Sequence, residues 1–174
     1  FLIYFLENTI NKINLFRHRG KPRIFINNYP NLISLLKNRK AHLFISNLHV
    51  NKIIHYIHTS FINLETNKAY LTKFDNQFLT ALSTKAEGKL DHSYCYKGID
   101  YSQLYKQASK QLINFEIPNL ILLGNKLEEE LRKNKIKIMI DIESDGEKAA
   151  IRKDICKRNN ILYTFVEHGI QGLR

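Results

Sequence analysis

The sequence predicts an α/β fold in which a mostly parallel sheet is flanked by helices. Short runs of β-branched and aromatic residues alternate along the chain with segments of helical periodicity, and the connections between them are short. Of the 174 residues, 44% are hydrophobic and only three are Pro, which suits a compact core without long linkers. Strands that alternate with helices favour parallel pairing, because each helix returns the chain to the starting edge of the sheet.

The chain begins with a segment predicted to be an amphipathic helix. Apolar residues recur at positions 2, 3, 6, 10, 13 and 16, and this helical spacing ends near Arg17. The apolar run at 1–6 is too short to span a bilayer, which needs about 20 residues. The stripe therefore indicates either ordinary packing on the core or peripheral contact with a membrane. We interpret 1–22 as this helix with a basic segment, and 23–174 as the α/β domain.

The first half of that domain is predicted to begin as a β-α-β unit, with strands at 23–27 and 42–46 and a helix at 31–40. The segment 50–61 has helical periodicity, although its β-branched residues leave a strand open. Residues 69–84 predict a short strand or turn and then a helix, and 85–98 predict a loop.

The second half is predicted to contain helices and strands in alternation. Two helical patterns are separated by Pro118, which has no backbone N–H and limits each helix. Asp145 is placed as the N-cap of the last helix, with Glu147 in its first turn. The predicted elements are helices at 101–115 and 119–134, a strand at 135–142, a helix at 145–160 and a strand at 161–169.

The net charge of +11 favours anionic partners, although a compositional excess of Lys explains part of it. The tightest basic cluster contains Arg17, Arg19, Lys21 and Arg23, and it predicts contact with an anionic surface such as a membrane. A nucleic-acid-binding module is a weaker alternative, because the 19 Phe and Tyr residues fall mostly in apolar runs typical of a core.

No metal or cofactor is predicted. The two cysteines lack the spacing of a zinc site, and the carboxylates from Asp141 onward fail the twelve-residue calcium template because its last position is Arg152. Glycine-rich phosphate loops are absent from the sequence, as is the G-x-S-x-G motif of a covalent nucleophile.

Polar residues follow three predicted strands at the point where each strand ends, in segments 27–30, 141–147 and 166–172. Because ligands of parallel sheets bind at the carboxyl ends of strands, we expect these segments to share one edge. His168 is the candidate general base, with Glu167 or Asp141 orienting it. The candidate substrate-binding residues are Asn28, Tyr29, Glu143, Ser144 and Gly169.

The segment from Lys135 to Ile170 resembles the end of the N-terminal Rossmann-like domain of GT-B glycosyltransferases. It is more narrowly similar to enzymes of capsule and surface-polysaccharide biosynthesis, in which an A-x-R-like run on a helix precedes a strand ending in Gln-His-Gly. Here Ala149-Ala150-Ile151-Arg152 lies on the helix and Glu167-His168-Gly169 ends the strand, with Glu in place of the usual Gln.

The resemblance implies the acceptor-side domain of a glycosyltransferase that moves a sugar from a nucleotide-sugar donor to a surface glycan or a lipid-linked acceptor. In the related teichoic-acid polymerases the histidine of a similar His-Gly pair is the base, and that role would fall on His168. A second Rossmann-like domain would bind the donor, so the 174 residues alone would be inactive. The implied location is the cytoplasm, at the inner face of the membrane.

Two alternatives stay open beside this one. The terminal Gly172-Leu173-Arg174 is similar to part of a motif in UDP-N-acetylglucosamine 2-epimerases, although the order of Glu167 and His168 differs from that motif. A Rossmann-like regulatory or interaction domain without chemistry is the other. A glycosyltransferase requires His168 and Asp141 to face one cleft at the carboxyl edge of the sheet.

Overall fold

The computed structural model describes residues 2–27, 42–46, 59–62, 64, 66–88, 93–141 and 146–166. The predicted helix at 31–40, most of the segment 50–58 and the predicted cap Asp145 lie outside these residues. The chain divides into two compact units. One unit comprises Phe1–Glu65 and Lys126–Arg174, and the other comprises Thr66–Asn125.

The first unit is built on a five-stranded sheet in which all neighbouring strands are parallel, as the sequence predicted. Along the sheet the order of the strands is β3-β2-β1-β4-β5. The strands are β1 Arg23–Ile26, β2 His42–Ser46, β3 Thr59–Ile62, β4 Ile138–Asp141 and β5 Leu162–Phe165. This is an α/β sheet of the Rossmann-like type.

The centre of the sheet carries the core. Phe25 of β1 lies in register with Phe44 of β2 and with Met139 of β4, and all three are buried. Ile24 and Ile26 are buried as well, so both faces of β1 are covered, as is usual in a parallel sheet. Two helices pack on this core, α4 (Ile117–Lys133) and α5 (Gly146–Arg158). They contribute Leu127, Leu131, Ile155 and Cys156.

The predicted strands at 23–27, 42–46, 135–142 and 161–169 are confirmed as β1, β2, β4 and β5. The third of these predictions began three residues too early, because residues 135–137 lie in the connection between α4 and β4. The helix favoured at 50–61 is wrong over its last residues, because Thr59–Ile62 form β3 beside β2. Local periodicity could not decide this case, since β-branched residues fit both states and pairing with β2 selects the strand.

Helix α1 (Leu2–Arg17) ends where the sequence predicted. Its apolar stripe does not all pack on the core, however. Ile13 is 46% exposed and Phe16 is 79% exposed, whereas the neighbouring Asn14 is buried. The helix contacts β3, but of the two alternatives that the sequence left open, ordinary packing on the core does not apply to Ile13 and Phe16.

The second unit is mainly helical. A 3₁₀ turn at Lys68–Tyr70 precedes α2 (Lys73–Glu87), where Thr72 and Asp75 form a reciprocal capping box. A two-stranded hairpin joins Cys95–Tyr96 to Ile99–Asp100, and positive φ angles at Lys97 and Gly98 form its turn. The predicted loop at 85–98 therefore contains the end of α2 and half of this hairpin.

Helix α3 (Ser102–Gln111) continues into α4 through a π-helical segment at Leu112–Glu116. The sequence predicted a break at Pro118, but the helical path is continuous. Pro118 cannot donate a backbone hydrogen bond, and immediately before it the N–H of Ile117 bonds five residues back to the carbonyl of Leu112. The wider π turn thus accommodates the proline without ending the helix.

Candidate functional site

The strand order places a topological switch point between β1 and β4. After β1, the chain adds β2 and β3 on one side of the sheet. After β4, it adds β5 on the other side, so the order of the strands reverses between β1 and β4. In open α/β sheets, ligands bind outside the carboxyl ends of the strands at such a switch point. The residues at the carboxyl ends of β1 and β4 are Asn27 and Asp141.

These two residues contact each other directly. The backbone N–H of Asn27 donates to the carbonyl of Ile140 at 2.9 Å, which extends the pairing of β1 and β4 by one residue. The side-chain Nδ2 of Asn27 donates to Oδ1 of Asp141 at 3.0 Å. The sequence segments 27–30 and 141–147 therefore begin side by side.

The carboxylate of Asp141 is fully buried, at 0% exposure. Its Oδ2 accepts a hydrogen bond from Nε of Arg152 and another from the hydroxyl of Tyr163 at 3.0 Å. Arg152 is itself only 6% exposed. A buried carboxylate is costly unless a cation and hydrogen-bond donors compensate it, and Asp141 has both.

Helix α5 supplies this cation from its buried face. The inward positions Ala149, Arg152, Ile155 and Cys156 follow helical spacing, and Arg152 is the charged member among three apolar residues. Sequence reasoning named Arg152 as the residue that breaks the calcium template and as part of a resemblance, but not as a partner of Asp141. Its position on an otherwise apolar face was the signal that it needs a buried anion.

The buried anion changes the acidity of two neighbours. Burial and the hydrogen bond to Asp141 raise the pKa of Tyr163 to about 12, so its hydroxyl stays protonated and donates. Burial and the negative charge of Asp141 raise the pKa of Cys156 to about 11. A thiol with so high a pKa is not a nucleophile near neutral pH.

Asp141 also fixes the orientation of the Asn27 carboxamide. An ionised carboxylate only accepts hydrogen bonds, so the amide nitrogen of Asn27 faces Asp141 and its Oδ1 faces away. Within the described residues no donor reaches that Oδ1. An oriented, half-buried acceptor at a strand end suits a ligand that offers a hydroxyl or an N–H group.

The structure describes only part of the predicted site. Asp141 lies in it, and the backbone N–H of Val166, just after β5, donates to the carbonyl of Asp141 at 2.8 Å. The end of β5 thus reaches the same edge. The other candidates lie outside the described residues: Asn28, Tyr29, Glu143, Ser144, Glu167, His168 and Gly169.

The predicted basic cluster lies at the opposite edge of the sheet. Arg23 is the first residue of β1, and its Nη1 donates to the carbonyl of Asn134 at 2.8 Å. Arg17 ends α1, Arg19 and Lys21 lie between α1 and β1, and all three are exposed. These cations are therefore separated from Asn27 by the length of β1.

Beside them, His42 is buried at the start of β2, with 1% exposure. Its Nε2 lies 2.8 Å from Oγ of Ser60, and its ring centroid lies 5.0 Å from that of His18. Burial, and then the positive charge of His18, Arg23 and Lys21, lower the pKa of His42 to about 4. His42 is therefore neutral near pH 7.

Comparison with family models, with curated proteins and with solved structures finds no match for this chain. Among the side chains that the structure describes, no group of three or more His, Cys, Asp or Glu could hold a metal ion. None of the described helices is long and apolar enough to cross a membrane. The candidate site therefore rests on its own geometry.

Proposed function

We propose that this chain is the acceptor-side domain of a GT-B glycosyltransferase, which moves a sugar from a nucleotide-sugar donor to a surface glycan or a lipid-linked acceptor. The observation that carries the proposal is the hydrogen bond between Asn27 and Asp141 at the switch point. It presents an oriented carboxamide oxygen where α/β sheets bind ligands.

The chemistry of Asn27 suits an acceptor that is rich in hydroxyl groups. Its Oδ1 can accept a hydrogen bond from a sugar hydroxyl, and the buried Asp141 holds the amide against rotation. Because Arg152 balances the charge of Asp141, the carboxylate needs no cationic ligand. A neutral, polar recognition element of this kind favours a glycan.

His168 is the proposed general base that deprotonates the acceptor hydroxyl. It follows Val166 by two residues, and Val166 is bonded to Asp141 at the carboxyl edge. Two residues of extended chain span at most about 7 Å. This short distance along the chain from Val166 is the basis for proposing His168 at the carboxyl edge of the sheet.

The proposal also includes a second Rossmann-like domain that binds the nucleotide-sugar donor. Such an enzyme would act in the cytoplasm, at the inner face of the membrane, on products of surface-polysaccharide biosynthesis. The sugar, the acceptor and the linkage are to be identified by experiment.

Acceptor binding by the 174-residue chain tests the proposal. We would screen purified protein against an array of bacterial surface glycans and measure the affinity of each hit by titration calorimetry. Asn27→Ala should weaken glycan binding about 2- to 12-fold, since one hydrogen bond to a neutral group is worth about 0.5–1.5 kcal/mol and the site loses its oriented acceptor. Asn119→Ala, at an exposed position on α4, is the matched control.

The role of His168 is tested on the longer enzyme that includes the donor domain. His168→Ala should abolish sugar transfer while the glycan affinity of the domain stays within a few-fold of the original. Equal turnover in His168→Ala would remove the base assignment. Failure of every glycan to bind, or equal binding by the Asn27→Ala and Asn119→Ala proteins, would remove the proposed function.

A further inference from the structure

The outward side of α1 has an unusual composition. The exposed residues at the C-terminal half of this helix recur at positions 9, 12, 13, 16 and 17, which is the spacing of one helical face. Ile13 and Phe16 lie in the middle of this face, and Lys12 and Arg17 accompany them. We call these four residues, with Arg19 and Lys21, the α1 outer face.

The apolar part of the α1 outer face is unpartnered in the described structure. Phe16 is 79% exposed and Ile13 is 46% exposed, and the two residues are neighbours one helical turn apart. By contrast, Asn14 on the same helix is buried, and Leu15 packs against the core. The fold therefore directs two large apolar side chains into solvent.

The charge around the α1 outer face is of one sign. From Thr9 to Arg23 the chain contains five Lys and Arg residues and no Asp or Glu. Lys12, Arg17, Arg19 and Lys21 are exposed. In the described part of the chain none of these four forms an ion pair with a carboxylate. Their charge is thus available to an external anion.

We propose that the α1 outer face docks on an anionic lipid bilayer. Apolar side chains between Lys and Arg on one helix face are the composition of helices that lie in the membrane interface, where apolar groups enter the acyl boundary and cations meet the anionic headgroups. The proposed contact lies in the membrane interface, where this short face can reach both the acyl boundary and the headgroups. The aliphatic Ile13 beside Phe16 favours lipid over nucleic acid, because bases stack on aromatic rings and not on aliphatic side chains.

Vesicle co-sedimentation tests this proposal with the intact chain. Protein is mixed with vesicles of phosphatidylcholine alone or of phosphatidylcholine with phosphatidylglycerol, at low and at high salt. We expect binding to the anionic vesicles only, and weaker binding at high salt. Each Lys or Arg near an anionic surface raises the partition coefficient about 5-fold. Loss of two of them in Arg17→Gln/Arg19→Gln should therefore lower it about 30-fold.

The apolar contribution has a matched control. Ile13→Ser with Phe16→Ser should lower vesicle binding about 10-fold or more, since these side chains lose their burial in lipid. Phe74→Ser removes a phenylalanine that is 75% exposed on α2, outside the α1 outer face, and it should bind vesicles as the original does. Circular dichroism and urea unfolding confirm that each variant is folded.

Three outcomes would overturn the proposal. Equal binding to neutral and anionic vesicles is one, and an Ile13→Ser/Phe16→Ser protein that binds like Phe74→Ser is the second. The third is absence of vesicle binding, and tight binding of a fluorescent single-stranded oligonucleotide in that case would identify the surface as a nucleic-acid site. None of these outcomes depends on glycan binding at Asn27, so this proposal and the proposed function can fail separately.

Discussion

Arg152 of α5 forms a buried ion pair with Asp141 at the carboxyl end of β4. The two residues are eleven positions apart in sequence, and the pair joins the last helix to the centre of the sheet. Asp141 in turn holds the carboxamide of Asn27. The stability of the first unit and the geometry of the candidate site therefore depend on the same carboxylate.

Breaking this pair from either side should destabilise the fold strongly. Asp141→Asn or Arg152→Met should each lower the free energy of unfolding by about 3–5 kcal/mol, because a buried charge is left without its partner. In the double variant the loss of unfolding free energy should be smaller than the sum of the two single losses. Urea unfolding measures all three values. Asp154→Asn, at the exposed pair with Arg158, should cost about 1 kcal/mol or less. Additive losses would show that the two charges do not interact.

Tyr163→Phe should lower the free energy of unfolding by about 1–2 kcal/mol, because the buried carboxylate of Asp141 loses one of its hydrogen-bond donors. In the folded protein Tyr163 keeps its proton to about pH 12, whereas an unfolded tyrosine loses it near 10.0. The proton therefore stabilises the fold below pH 10, and this contribution is lost as the pH rises through 12. The tyrosinate absorbance that appears near pH 12 should be smaller in Tyr163→Phe than in the original protein and unchanged in Tyr96→Phe.

Acid should destabilise the protein through His42. Its pKa is about 4 in the folded protein and 6.5 for an unperturbed histidine, so the unfolded chain binds more protons between these values. The contribution of neutral His42 to the free energy of unfolding is complete above pH 6.5. By linkage, about 2 kcal/mol of this free energy is lost between pH 7 and pH 5. Urea unfolding at both pH values should show a smaller loss for His42→Gln. The same loss in both proteins would contradict the prediction.

Only one of the two thiols should react with Ellman's reagent in the folded protein. Cys95 is exposed, whereas Cys156 is buried and its pKa is raised to about 11. Cys156→Ser should keep the rapid reaction, and Cys95→Ser should lose it until urea unfolds the chain. Rapid labelling of Cys95→Ser under native conditions would mean that α5 opens readily from the sheet.

Local patterns in the sequence were sufficient to predict the parallel sheet and the polar residues at its carboxyl edge. Strands such as Arg23–Ile26 and Ile138–Asp141 are short apolar runs with clear limits, and their polar ends mark the carboxyl edge. The contact between Asn27 and Asp141 was not predictable in this way, since 114 positions separate them and only the strand order makes them neighbours.

The exposure of Phe16 had a different cause. Periodicity identifies an apolar stripe on α1, but it does not tell whether the rest of the fold covers that stripe. Arg152 is the opposite case, a charged residue that is buried. The sequence explains its burial only once Asp141 is known to be its partner. In both cases the missing information was which element packs on which.

The polarity of β1 has a consequence for how long an acceptor must be. The strand leads from Arg23, two residues after the last member of the α1 outer face, to Asn27 at the switch point, and four steps of about 3.3 Å separate the two edges by about 13 Å. Under the two proposals, the bilayer contacts the first edge and the glycan binds at the second. An acceptor anchored in that bilayer must then extend over about the length of this strand before it reaches Asn27.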